Sequence, residues 1–117
     1  MTTMAWLGPM IDVRPLFAGQ RRAYLELLHE LDDHDWQRPT ACPGWDVKDI
    51  AAHVLGGYTG RLPAWRDDFQ VPHPAHGESF SSLINRINQK WVSASRRISP
   101  KLLTHLSSEV SEQIVES

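Results

Sequence analysis

Between Gln37 and Trp45 the chain reads QRPTACPGW, and no helix can run through it. Its two prolines lack the N–H that a helix interior needs, and Gly44 is free to turn in a direction other residues resist. On either side of this block the apolar residues recur at spacings of three and four, the period of a helix that buries one face. Before it come Leu16, Phe17, Ala23, Tyr24, Leu27, Leu28 and Leu31. Gln20, Arg21, Arg22, Glu26 and Glu30 lie between them as a solvated face. This predicts a first helix over about 12–34.

After the block, Asp46 is placed to cap a second helix, with Asp49 near its positive end. Val47, Ile50, Ala51, Val54, Leu55, Tyr58 and Leu62 form its apolar stripe, and Pro63 is expected to stop or kink it. The stretch DDFQVPHPAHGE has turn residues and no period, so it reads as a loop. Phe80, Leu83, Ile84, Ile87, Trp91, Ala94 and Ile98 predict a third helix over about 78–98. Ser99 and Pro100 then form a cap and first-turn proline for a fourth, with Leu103, Leu106, Val110 and Ile114 facing inward. No strand-like alternation or internal repeat competes with this pattern. The fold class is therefore all-α, four amphipathic helices packed as a bundle. With 117 residues there is room for one small domain. We divide it into a lead-in over 1–11 and the bundle over 12–117.

The charge balance excludes several functions. A net charge of −2 offers no broad attraction to nucleic acid or to an acidic membrane. Arg86, Lys90, Arg96, Arg97 and Lys101 form a modest basic run without interleaved aromatic platforms, and read as a solvated face. The single cysteine, Cys42, cannot form an internal disulfide, which suits a cytoplasmic protein. The N-terminal residues show no signal peptide, and no apolar run is long enough to span a bilayer.

The residue that invites a functional reading is His53. On a helical wheel it lies roughly 150° from the centre of the second helix's apolar stripe. Asp49, Gly56, Gly57 and Gly60 fall on its side. Each mid-helix glycine costs about 0.8–1 kcal/mol against alanine, so three of them suggest a face kept bare for another backbone or a ligand. The alternative is a solvent-exposed imidazole on a helix whose end frays. Imidazole is the commonest metal-ligating side chain, but a catalytic zinc wants three protein ligands. Asp49 reads better as a helix-start carboxylate than as a hydrogen-bond partner of the ring.

The remaining candidates are weaker. His29 and Asp33 have a chelating spacing, yet His29 borders the apolar stripe and reads as a packed helix-end histidine. His34 sits among carboxylates, His73 and His76 in the proline-rich loop, and His105 in the last helix, none with a partner at metal-ligand spacing. Nothing near Cys42 activates a thiol, so it reads as structural. No phosphate-binding glycine loop, nucleophile elbow or HExxH motif is present.

The segment LHELDDHDWQRPTACPGWDVKDIAAHVLG, Leu28 to Gly56, resembles the start of the mycothiol-dependent maleylpyruvate isomerase family, within the wider DinB-like group. The matching positions are Pro39, Thr40, Cys42, Pro43, Gly44 and Trp45 in the loop, and Val47, Asp49, Ile50, Ala52, His53 and Gly56 in the helix. Beyond them only the helix order and the LINRINQKW helix are similar. The resemblance implies a DinB-like four-helix bundle holding a divalent metal, typically zinc, with His53 as its first ligand. It also implies a low-molecular-weight thiol, mycothiol or a similar one, acting on a small electrophilic substrate. A metal-held thiol is deprotonated at neutral pH and becomes a strong nucleophile. In the isomerase the thiolate would add to a conjugated double bond, allow rotation and be expelled, leaving the trans isomer. A thiol transferase would stop after the addition.

One departure matters. The family's further ligands are an acidic residue or histidine and a second histidine, one turn apart on a later helix. No such pair occurs between Glu78 and Ser117. The expectation is a bundle incomplete at its C-terminus, whose other ligands come from a missing C-terminal segment or a second copy in a homodimer. An uncovered apolar face would favour such association. The competing expectation is a non-catalytic helical remnant or interaction module without a complete metal site. A thiol-binding sensor without turnover is a third.

Overall fold

The computed structural model describes residues 14–69 and 73–116, and these are helical with no strand among them. The expected lead-in, 1–11, lies outside the described residues. Five helices follow in order: α1 Arg14–Glu30, α2 Asp33–Trp36, α3 Val47–Arg66, α4 Phe80–Ser95 and α5 Pro100–Glu116. The all-α expectation holds.

Its first boundary needs correction. The helix expected to reach residue 34 ends at Glu30, and α2 starts afresh. Asp32 is the reason, because its side chain accepts from the Asp35 backbone N–H while Asp35 accepts from the Asp32 N–H. This reciprocal cap satisfies donors that a continuous helix would have used internally. The short turn swings Trp36 into the core, where it is 5% exposed.

The second boundary moves the other way. Helix α3 continues through Pro63 to Arg66. Proline costs the helix the hydrogen bond to the carbonyl one turn back, but Pro63 lies within one turn of the helix end, where little follows to be disrupted. The Pro63 carbonyl accepts from the N–H groups of Asp67 and Phe69, which closes the terminus. Ser79 and Ser99 cap α4 and α5 through the backbone N–H groups of Ser82 and Leu102.

Helix α3 is the hub, packing against α5 on one side and α4 on another, with α2 resting on it. Helix α1 packs against α5. Leu28, Trp36, Ala51, Ala52, Leu55 and Leu103 form the central cluster. Each fully buried leucine here contributes about 1.5–3 kcal/mol by leaving water.

The buried faces of the last two helices are not the expected stripes. On α5 the buried residues are Leu103, Thr104, Ser107 and Ser111, with Leu106 and Val110 only half-buried. The small hydroxyl residues let α5 approach its neighbours closely. On α4 they are Leu83, Val92 and Ser95, while Phe80 is 70% exposed and Ala94 is also exposed. Arg21, expected on the solvated face of α1, is half-buried instead. It reaches α5, donating to Ser111 Oγ at 2.8 Å and to the Ser108 carbonyl at 2.9 Å.

Candidate functional site

The loop before α3 is built by its sequence almost residue by residue. Cys42, Pro43, Gly44 and Trp45 make a tight turn in which the Trp45 N–H donates to the Cys42 carbonyl at 3.1 Å. Proline suits the second position of this turn, and Gly44 takes the third with φ +79°, a conformation costly for other residues. Thr40 ties the ends: its hydroxyl donates to the Trp45 carbonyl at 2.8 Å and accepts from the Cys42 N–H at 3.1 Å. A bridge between Pro39 and Asp46 closes the base. Cys42 itself is exposed and free, which corrects the reading of its side chain as structural; only its backbone serves the turn.

At the end of this loop Asp46 and Asp49 cap α3 reciprocally, each accepting from the other's N–H. Asp49 is 6% exposed and its carboxylate is paired with Arg96, Nε to Oδ1 at 3.3 Å. It is thus the helix-start carboxylate expected, and its partners are the Asp46 N–H and Arg96. Arg96 also donates to the Gly44 carbonyl at 3.3 Å, and the Lys48 ammonium donates to the Arg96 carbonyl at 2.7 Å. The end of α4 is therefore bound to the turn. Charge run alone had placed Arg96 on a solvated face, and nothing in its spacing signals this partnership.

His53 stands one turn further along α3, half-buried, with the Trp45 ring tilted over it at a centroid distance of 5.5 Å. Its Nδ1 is buried and has no hydrogen-bond partner among the described residues. Such a nitrogen normally finds a partner in the protein, so its isolation calls for a physical explanation. The exposed-imidazole alternative does not describe it.

The glycines beside it divide into two kinds. At Gly56 a Cβ would stand 2.6 Å from the Trp91 ring, and that indole donates to the Ala52 carbonyl at 2.7 Å. Gly56 therefore admits an aromatic side chain from α4, which corrects the expectation of a bare face at this position. A Cβ at Gly57 or Gly60 would meet no other part of the described residues within 4 Å.

The other histidines do not join His53 in a cluster. His29 is exposed, not packed, and α1 ends before Asp33, so the pair lacks the i,i+4 geometry of one helix. His34, His73, His76 and His105 are exposed too. Among the described residues no group of three His, Cys, Asp or Glu side chains is arranged to hold a metal. The described residues do not by themselves make a metal site. No helix among them is long and apolar enough to cross a membrane.

Comparison with known proteins agrees with the motif. No curated protein and no solved structure matches the chain. The family model for the mycothiol maleylpyruvate isomerase N-terminal domain matches residues 17–116. That span takes in the capped loop, His53, the Trp91 contact and every helix but the first residues of α1. The chain belongs to the mycothiol maleylpyruvate isomerase N-terminal domain family.

Proposed function

We propose that this chain is the helical part of a thiol-dependent isomerase or thiol transferase that acts on a small electrophile with the help of a divalent metal, zinc by preference. His53 supplies one ligand, and the others come from outside the described residues. The observation that carries this reading is the His53 Nδ1, buried beside the Trp45 ring and unpaired among the described residues. A metal bound there would supply one thing, a thiol held as thiolate at neutral pH. The chain's own residues hold the imidazole in place. The reciprocal aspartate cap fixes the start of α3, the Thr40 turn presents Trp45, and Trp91 anchors the Ala52 carbonyl next to the histidine. The low-molecular-weight thiol is mycothiol or a close analogue, as the family description indicates. A reducing cytoplasm agrees with a lone exposed cysteine.

A second reading, a helical module that acts only by packing against a partner, is favoured by the lack of a three-ligand group among the described residues. Metal analysis of the purified protein separates the two. Stoichiometric divalent metal that disappears in His53→Ala supports the first reading. Absence of metal at every protein concentration, with no thiol addition to maleylpyruvate or a model electrophile, overturns it in favour of the second. Metal binding without turnover indicates a thiol sensor.

A further inference from the structure

We propose that the apolar surface at the end of α3, built by Trp65 and Phe69, is the docking surface of the chain's own leading segment, Met1–Val13. Trp65 stands about 18 Å along α3 from His53, so this surface does not depend on the metal reading.

Exposed apolar side chains gather at this end of the bundle. Trp65 is 69% exposed and Phe69 70%, and Leu16 of α1 is exposed as well. Single exposed apolar residues are ordinary, whereas a group of them marks a surface that binds something. Tyr58, Leu62 and Trp65 recur at spacings of four and three and so share one face of α3. Along that face Tyr58 is half-buried and Leu62 buried, and the cover stops before Trp65. Phe69 follows just past the helix end, its N–H donating to the Pro63 carbonyl at 3.0 Å. The Arg61 guanidinium stands 5.8 Å from the centroid of the Trp65 ring.

The direction of α1 says what reaches this surface. Leu28, near the end of α1, shares the central cluster with Ala51 and Leu55. Phe17, near its start, sets its ring edge-on to Tyr58, further along α3. The two helices are therefore antiparallel, and the chain enters α1 at the end of the bundle where α3 finishes. Phe17 touches the same face of α3 that Trp65 continues. Trp65 stands about 10 Å beyond Tyr58 along the helix axis. Residues 1–13 span more than about 40 Å when extended, enough to reach Trp65 and Phe69 with chain to spare.

The chemistry of the segment matches. Met4, Trp6, Leu7, Met10 and Ile11 make it apolar, and Asp12 is its single charged side chain. Methionine adapts to irregular apolar surfaces, and the Trp6 indole offers Trp65 a flat aromatic partner. Asp12 complements Arg61, which has no carboxylate partner among the described residues. Tethering favours this occupant over a second copy, because a linked segment acts at an effective concentration of about millimolar.

The test is a spin-label measurement on the whole chain at low concentration. A nitroxide is attached at Thr3→Cys in a Cys42→Ser background, since the Cys42 side chain is exposed and free. The Trp65 indole N–H and the Phe69 amide are expected to lose NMR intensity, while the Trp36 indole at the opposite end keeps its own. Adding Trp6→Ser and Leu7→Ser to the labelled chain must restore both signals, because apolar contact and not the tether alone holds the segment. The proposal is overturned if Trp65 and Phe69 keep their intensity. It is equally overturned if the serine pair leaves the loss unchanged, the mark of a loose arm. A loss transferred from labelled to unlabelled chains in a mixture overturns it too, since the occupant is then a second copy.

Discussion

The Trp91 indole occupies the space that a side chain on Gly56 would need. A Cβ there would lie 2.6 Å from the ring, while the ring nitrogen reaches the Ala52 carbonyl at 2.7 Å. Helix α4 is thereby locked against the turn of α3 that carries His53. Gly56→Ala is expected to destabilise the protein by about 1–3 kcal/mol, the cost of overpacking exceeding the gain in helix propensity. Gly57→Ala and Gly60→Ala, facing open space, are expected to stabilise it by about 0.5–1 kcal/mol each. Urea unfolding of the three variants checks this, and a common sign for all three contradicts it.

Asp49 serves the helix start and the Arg96 ion pair at once. Asp49→Ala is expected to cost about 1–2 kcal/mol, because a capping group and the partner of a half-exposed guanidinium disappear together. Arg96→Ala should cost less, since the cap survives it. Thermal melts of both single variants and the double variant measure the coupling, and strict additivity would show that the two roles are independent.

Gly44 holds φ +79° at the tip of the turn that presents Trp45 to His53. Gly44→Ala is expected to cost about 1–2 kcal/mol through backbone strain alone, although there is open space around the position. The replacement should also move the His53 ring resonances in an NMR spectrum. A destabilised protein with unchanged His53 resonances would separate the turn from the histidine.

Tyr24 has a buried hydroxyl with no partner among the described residues, and its pKa is raised to about 12, chiefly by burial and then by Tyr58. Removing an unpaired buried hydroxyl is favourable, so Tyr24→Phe is expected to stabilise the protein by about 1 kcal/mol at neutral pH. The pH dependence has a definite sign. Since the folded pKa exceeds the unfolded value of 10.0, the neutral phenol favours folding fully below pH 10. That contribution is lost between there and about 12. The advantage of Tyr24→Phe should therefore grow as alkali is added through this range. Unfolding curves on both sides of pH 10 check it, and a constant difference contradicts it.

Sequence and structure agree where the determinants are local. The turn at Cys42–Trp45, the caps at Asp46 and Ser99 and the helical character of all four long segments depend on residues within a few positions of one another. The break at Glu30 was also locally encoded, through Asp32 and Asp35, but the apolar period running on to Leu31 masked it. His53 was picked out by its place off the apolar stripe. Its setting was not, because the Trp45 contact depends on how a loop folds back over the helix.

By itself the sequence determined the helices, their caps, the loop that shapes the start of α3 and, through a dense motif, the family. Those features follow from hydrogen bonds and periodicities that act along the chain. Only the tertiary structure decided that Gly56 receives an indole, that Arg96 binds Asp49 and the Gly44 carbonyl, and that the buried face of α5 joins Leu103 to three hydroxyl residues, Thr104, Ser107 and Ser111. It alone left the His53 nitrogen buried and, among the described residues, unpaired. Periodicity tells which residues share a face of one helix. Which face meets which neighbour is set by shape complementarity between helices that are far apart in the chain.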